Sequence, residues 1–151
     1  MIEIERKFLV KGTPELTAGE LCIQGYLMLD PARTVRIRLI GSKGFITVKG
    51  ASKGLSRAEF EYEIPAVDAQ EMLDTLCVDN IVEKTRHKVP YGGLMWEIDV
   101  FHGKNEGLVM AEVELESENQ PVLIPDWVGD EVSDKKQYFN AWLAKYPYST
   151  W

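Results

Sequence analysis

Along most of this chain polar and apolar residues alternate with a period of two, which predicts strands that are apolar on one face and charged on the other. In the first, residues 2–10, Glu3, Glu5 and Lys7 share one face, while Ile2, Ile4 and Phe8, joined by Arg6, share the other. Lys11-Gly12-Thr13-Pro14 breaks it, and Glu15 to Ala18 is expected to form a helical turn. Seven more strands are predicted over 22–28, 34–40, 45–49, 57–64, 81–89, 94–101 and 109–116. Gly41-Ser42-Lys43-Gly44 and Pro90-Tyr91-Gly92-Gly93 read as hairpin loops. Asp68 is placed to cap a helix running to Val78, with Glu71 at the capping-box position and Met72, Leu73 and Leu76 as its apolar stripe. A last helix is expected from Asp134 to Lys145, ended by Pro147. Eight strands with one inserted and one terminal helix predict a single α+β or antiparallel barrel domain over residues 1–151.

Composition narrows the class without naming a chemistry. Apolar residues make up 45% of the chain and charged residues 27%, which is ordinary for a globular protein. No run of about 18 apolar residues occurs, so no membrane span is expected. The acidic start is unlike a signal peptide, and a cytoplasmic location is the expectation. A net charge of -7 argues against general nucleic-acid binding, though not against a phosphate held in one basic site. Cys22 and Cys77 lie far apart and His87 and His102 have no metal-ligand spacing, so no zinc site is read here.

The charged faces are sorted by sign. Arg36 with Arg38 and Lys84 with Arg86 are basic pairs two residues apart, while Glu3 with Glu5, Glu97 with Asp99 and Glu112 with Glu114 are acidic ones. Glu59, Glu61 and Glu63 form an acidic triple. A strand face turned to water gains from mixed signs, because like charges side by side cost a few tenths to about 1 kcal/mol. Sorting suits a ligand that neutralises each cluster: a polyanion for the arginines, with their bidentate forks, and divalent cations for the carboxylates. A metal-bound oligophosphate meets both demands. Pairing of the charges across strands, with no ligand, is the bland alternative. The Gly-rich phosphate-binding loop with its Lys-Ser/Thr ending is absent.

Four motifs, in order, carry a resemblance over nearly the whole chain: Glu3-x-Glu5-x-Lys7, Gln24-Gly25-Tyr26-Leu27, Glu83-Lys84-Thr85-Arg86, and Glu131-Val132-Ser133 to Tyr138-Phe139-Asn140. They resemble the CYTH superfamily of triphosphate tunnel metalloenzymes, and in particular its small bacterial members. The resemblance implies an eight-stranded closed antiparallel β-barrel with a charged interior, apolar outer faces covered by helices, and a C-terminal plug helix. It implies metal-site carboxylates at Glu3, Glu5, Asp99, Glu112 and Glu114, serving Mg²⁺ or Mn²⁺. It also implies a phosphate-gripping lining of Lys7, Arg36, Arg38, Lys49, Arg57, Lys84 and Arg86, with Glu59, Glu61 and Glu63 as further tunnel acids. Lys7, Glu5 and Tyr26 are the residues nearest the chemistry; Tyr26 as a packing aromatic stays open. The family's usual arginine before the terminal tyrosine is Gln137 here, and Lys136 is the candidate to supply its charge.

The expected activity is divalent-metal-dependent hydrolysis of inorganic triphosphate or a related small triphosphate. A class IV-type adenylyl cyclase, a thiamine triphosphatase and a non-catalytic polyphosphate- or nucleotide-binding module are the alternatives. A small-molecule triphosphate is the expected partner, with neither nucleic acid nor membrane. Trp142, Tyr146, Tyr148 and Trp151 read as packing of the last helix, a homodimer contact being the other reading.

Overall fold

Strand β1 (Ile2–Val10) is paired along both edges, and this closes the sheet into a barrel. A computed structural model describes residues 1–151. The other barrel strands are β2 (Gly19–Asp30), β3 (Arg33–Ile40), β4 (Lys43–Gly50), β5 (Ser56–Ile64), β6 (Ile81–Tyr91), β7 (Leu94–Phe101) and β8 (Val109–Glu114). The order is β5-β4-β3-β2-β6-β7-β8-β1, with β1 also paired to β5, and every pairing is antiparallel. Closure at the β1–β5 seam is short: Ile2, Glu3 and Ile4 face Ala58, Arg57 and Ser56. Beyond it a ninth strand, β9 (Val128–Glu131), takes over the same edge of β1 through Phe8 and Val10. A register shift between Tyr26 and Met28 of β2 lets Tyr26 keep its inward direction while the strand runs on to Asp30.

The charged faces turn inward and the apolar faces outward, as the resemblance implies. Apolar burial therefore happens mostly outside the barrel wall. Helix α1 (Ala66–Thr75) lays Ala69 and Leu73, with Cys77 just beyond its end, against Ile37 of β3. Over β1, β7 and β8, Phe8, Trp96, Ile98, Ala111 and Val113 are covered not by a helix but by Leu115 and Trp127 of the irregular stretch after β8 and by Val128 at the start of β9. A third cluster closes one end of the barrel, where Val82, Phe101 and Met110 meet Leu143 and Ala144 of helix α2 (Asn140–Lys145).

Three expectations change in detail. Residues 15–18 have no helical turn. Helix α1 starts at Ala66 behind Pro65 without a side-chain cap, so Asp68 sits inside its first turn; proline fixes the entry angle and needs no donor there. The last helix begins only at Asn140, after a single 3₁₀ turn over Lys136–Tyr138. The terminal aromatics pack on each other, Trp151 lying edge-on to Tyr138 and Tyr148 at 5.2 and 5.1 Å, although Trp142, Tyr146 and Trp151 stay partly exposed. No helix is long and apolar enough to cross a membrane.

Gly25 shows how tightly α1 is seated. A Cβ there would lie 2.6 Å from Cys77 Cβ and 2.8 Å from Ile81 Cδ1. Gly25→Ala is expected to lower the denaturant midpoint by an amount equivalent to about 1–3 kcal/mol. An unchanged midpoint in a urea titration would contradict this packing.

Candidate functional site

The inward faces of the barrel strands enclose a cavity of about 270 Å³ whose lining is mostly polar. Seven cations (Lys7, Arg36, Arg38, Lys49, Arg57, Lys84, Arg86) meet seven carboxylates (Glu3, Glu5, Glu59, Glu61, Glu97, Glu112, Glu114) on its walls. The lining is thus formally neutral, and the chain's net charge of -7 resides elsewhere. Strand alternation produces this directly, since residues at i and i+2 share a face. Lys7 and Glu112 are cross-strand partners, as are Arg86 and Asp99.

Most of the cations are engaged. Lys49 Nζ lies 3.0 Å from Glu3 and 3.2 Å from Glu59, and Lys7 Nζ is 3.5 Å from Glu112. Lys84 donates to Asp99 Oδ2 at 2.8 Å and to Asn140 Oδ1 at 3.1 Å. Arg86 makes a two-point bond to Asp99, at 2.8 Å through both Nε and Nη2. Arg36 reaches Thr47 Oγ1 and Glu61 through one Nη, while its buried Nε has no partner. That Nε is a donor waiting for an acceptor. Arg38 and Arg57 are held by neutral oxygens only, Arg38 by Gln24 Oε1 and Arg57 by the Gly50 carbonyl. Burial and the neighbouring Arg36 and Arg86 push the Arg38 guanidinium down from its usual range. These are the properties of an anion seat.

Glu5 and Glu114 face each other across β1 and β8, and neither has an ion-pair or hydrogen-bond partner. Burial, with Glu112 and Glu3 nearby, pushes the Glu5 carboxyl up to about 8. Burial pushes Glu112 up as well, but Lys7, Arg86 and Lys84 hold it well below the ordinary carboxylate range. One carboxylate is therefore spent on cations of the protein, and another is left without one.

The CYTH domain model matches residues 1–141, nearly the whole chain. The chain belongs to the CYTH family. An inorganic triphosphatase of Acetivibrio thermocellus is 48% identical over 148 residues, 97% of this chain and 95% of that one. An inorganic triphosphatase of Nitrosomonas europaea is 43% identical, covering 95% of this chain and 97% of its own. A crystal structure of an inorganic triphosphatase superposes with a TM-score of 0.70 at 36% identity, over 95% of this chain and 94% of that one.

Three side chains expected at the site of this CYTH barrel lie elsewhere. Asp99 is fully buried under Lys84 and Arg86 and does not line the cavity. Lys136 lines an adjoining pocket of about 400 Å³, with Trp142, Lys145 and Tyr146, which shares Thr34, Arg57 and Phe139 with the tunnel. Glu63 is exposed and sits beyond the cavity. The structure also adds residues that alternation did not single out: Gln24, Thr47, Ser133 and Asn140. Ser133 Oγ accepts the Lys7 backbone N–H at 2.9 Å, and the Tyr138 carbonyl accepts from Lys7 Nζ at 3.3 Å. Sign sorting is silent about such uncharged residues; Gln24, Ser133 and Asn140 fall within the motifs that carry the resemblance, whereas Thr47 shows itself only by its contacts.

The resemblance to tunnel metalloenzymes implies a divalent cation, and the donor set of the CYTH barrel fits one. Glu5 and Glu114 are hard oxygen donors with nothing to neutralise them, and Glu3 lies beside them on β1. No three His, Cys, Asp or Glu side chains converge as a complete metal cage. Mg²⁺ needs no such cage, since it usually takes one or two carboxylates and completes its shell with water and phosphate oxygens.

The raised Glu5 group has a pH consequence for this CYTH protein. Its folded value of about 8 lies above the ordinary 4.5, so the folded state holds the extra proton across that interval. Stability from this group is full below about pH 4.5 and is lost as pH rises towards 8. In chelator, Glu5→Gln is expected to melt close to the parent at pH 5 and about 3 °C or more above it at pH 9, given about 2–4 °C per kcal/mol for a chain of this size. Added Mg²⁺ or Mn²⁺ should narrow the pH 9 gap. Melting curves parallel at both pH values would contradict the assignment.

Proposed function

We propose that this CYTH protein hydrolyses inorganic triphosphate, or a related small triphosphate, in a divalent-metal-dependent phosphoric anhydride cleavage. The observation that carries the reading is the cavity itself. It holds seven cations in a confined space, among them Arg38 and Arg57 bound to no carboxylate, beside the unpaired carboxylates Glu5 and Glu114. A triphosphate with its cation complements both halves. The inorganic triphosphatases at 48% and 43% identity support the same substrate.

In the reaction a water oxygen attacks the terminal phosphorus and the bridging P–O bond breaks. The products are orthophosphate and diphosphate, and the proton of the water passes to solvent. Phosphoryl transfer of this kind needs in-line placement and neutralised charge more than covalent chemistry by the protein. Lys7, Arg36, Arg38 and Arg86 bind the non-bridging oxygens and offset the charge that develops on the leaving diphosphate. Lys49, Arg57 and Lys84 complete the grip, and the Tyr26 hydroxyl helps place the chain of phosphates. Glu5 and Glu114 would hold the divalent cation, with Glu3, bonded to Lys49, beside them; when bound it would supply Lewis acidity and a more acidic water. Glu112 orients Lys7 and Arg86, and Asp99 orients Lys84 and Arg86, so neither is spare for the cation. Glu59 and Glu61 act likewise on Lys49 and Arg36. Lys136, in the adjoining pocket, meets only a substrate that extends beyond the tunnel.

The test is phosphate release from inorganic triphosphate, ATP and thiamine triphosphate, each with Mg²⁺, with Mn²⁺ and with chelator. Release from inorganic triphosphate that chelator abolishes is expected. Cyclic AMP as the main product from ATP, or triphosphate binding without phosphate release under either metal, would overturn the reading. Lys7→Ala and Arg38→Ala are each expected to cut kcat/KM roughly 10- to 150-fold, the worth of one charged hydrogen bond. Arg38→Ala should change melting only modestly, because the loss of the donors to buried Gln24 Oε1 is offset by removal of a buried cation that no carboxylate pairs.

A further inference from the structure

We propose that Gln24 is the positioning residue of the site, and that it aims two donors, the Arg38 guanidinium and the Tyr26 hydroxyl, at the bound anion. The inference rests on the triphosphate reading and assigns a role within the same cavity.

Gln24 is completely buried on β2, between Cys22 and Tyr26 on the inward face. Its Oε1 accepts from Arg38 Nε at 3.2 Å and Nη2 at 3.1 Å, and from Cys22 Sγ at 3.7 Å. Its Nε2 lies 3.4 Å from Tyr26 Oη. The amide orientation follows from chemistry: a guanidinium carries only donors, so the atom facing it must be the carbonyl oxygen. The NH₂ then necessarily faces Tyr26, whose oxygen must accept. A phenol that accepts through a lone pair keeps its own proton free. Tyr26 lines the cavity and has no other hydrogen-bond partner, so that proton is left for a ligand.

The choice of an amide rather than a carboxylate is what matters here. Lys7, Arg36, Lys49, Lys84 and Arg86 all pair with carboxylates, which spend part of their charge. Gln24 fixes the Arg38 plane through two donors on one edge, Nε and Nη2, and leaves its full charge for the anion. A carboxylate of the same shape would hold Arg38 equally well, but it would cancel that charge and draw the Tyr26 proton onto itself. Gln24 therefore acts through Arg38 and Tyr26 without touching the reacting atoms.

The test compares Gln24→Glu and Gln24→Met with the parent, each alone and in an Arg38→Ala background. Affinity for inorganic triphosphate is read by calorimetry in chelator, and KM and kcat by phosphate release with Mg²⁺. Gln24→Glu is expected to weaken triphosphate binding and raise KM about tenfold or more, with kcat changed much less, as for a loss of uniform binding. Gln24→Met is expected to weaken binding about three- to tenfold in the parent and by a smaller factor in the Arg38→Ala background, where only the Tyr26 share is left to lose, the non-additivity of groups acting as one. Equal losses in both backgrounds, or parental affinity in Gln24→Glu, would overturn the proposal and leave the triphosphatase reading intact. If Gln24→Met does not fold, Gln24→Glu decides alone. Failure of the parent protein both to bind triphosphate and to release phosphate from it with Mg²⁺ would remove both.

Discussion

Charge can be kept inside a barrel only if nearly every charge has a partner, and this pairing is the condition that the rest of the structure meets. An isolated buried ion costs far more than a small domain's whole stability margin. Here Asp99 is the deepest node: it has no exposure, Lys84 reaches one oxygen, and Arg86 takes both. Glu112 serves Lys7 and Arg86 at longer range. Removing one member of such a set leaves the others uncompensated, so the network is rigid even though its net contribution to stability is small. Rigidity is the useful property, because a phosphate then meets donors already in place and costs them little reorganisation.

A polar interior moves the apolar burial to the outside of the wall. Ile37 and its neighbours need α1, and Phe8, Trp96 and Val113 need the irregular stretch running to β9. The end cluster around Phe101, Met110 and Leu143 does a third job, because it also brings Asn140 onto Lys84 and the Tyr138 carbonyl onto Lys7. Folding and site assembly are therefore coupled at the C-terminus. The segment that buries apolar surface is the one that seats two of the cations.

Two exceptions to pairing mark where a ligand belongs. Glu5 and Glu114 oppose each other with no cation between them, and Arg38 and Arg57 rest on neutral oxygens. Unmatched acid and unmatched base in one cavity of about 270 Å³ constitute a stored demand for a metal-bound polyanion. Gln24 keeps Arg38 ordered without satisfying it, so order and residual charge coexist.

The period-two alternation was enough to locate the eight barrel strands and to put Glu3, Glu5 and Lys7, or Arg36 and Arg38, on common faces, because side-chain direction in a strand is a local property. Sign sorting was also local, and it pointed to cations and phosphate before any contact was known. Alternation could not say which face was inside: an inward charged face and an outward one have the same period, and only closure of β1 onto β5 decides between them. Nor could it tell spent carboxylates from free ones. Asp99 and Glu5 look alike as alternating acids, yet one lies beneath two cations contributed by β6 and the other opposes Glu114 of β8. Glu63 continued the right pattern and ended beyond the cavity, since distance along the barrel axis is set by strand stagger rather than spacing; Lys136, in the 3₁₀ turn before α2, faces the adjoining pocket. β9, too short to show a period, exists because the edge of β1 past the seam needs a partner. Local chemistry was written along the chain; which charges meet, and which are left waiting, arises only when strands far apart in sequence become neighbours.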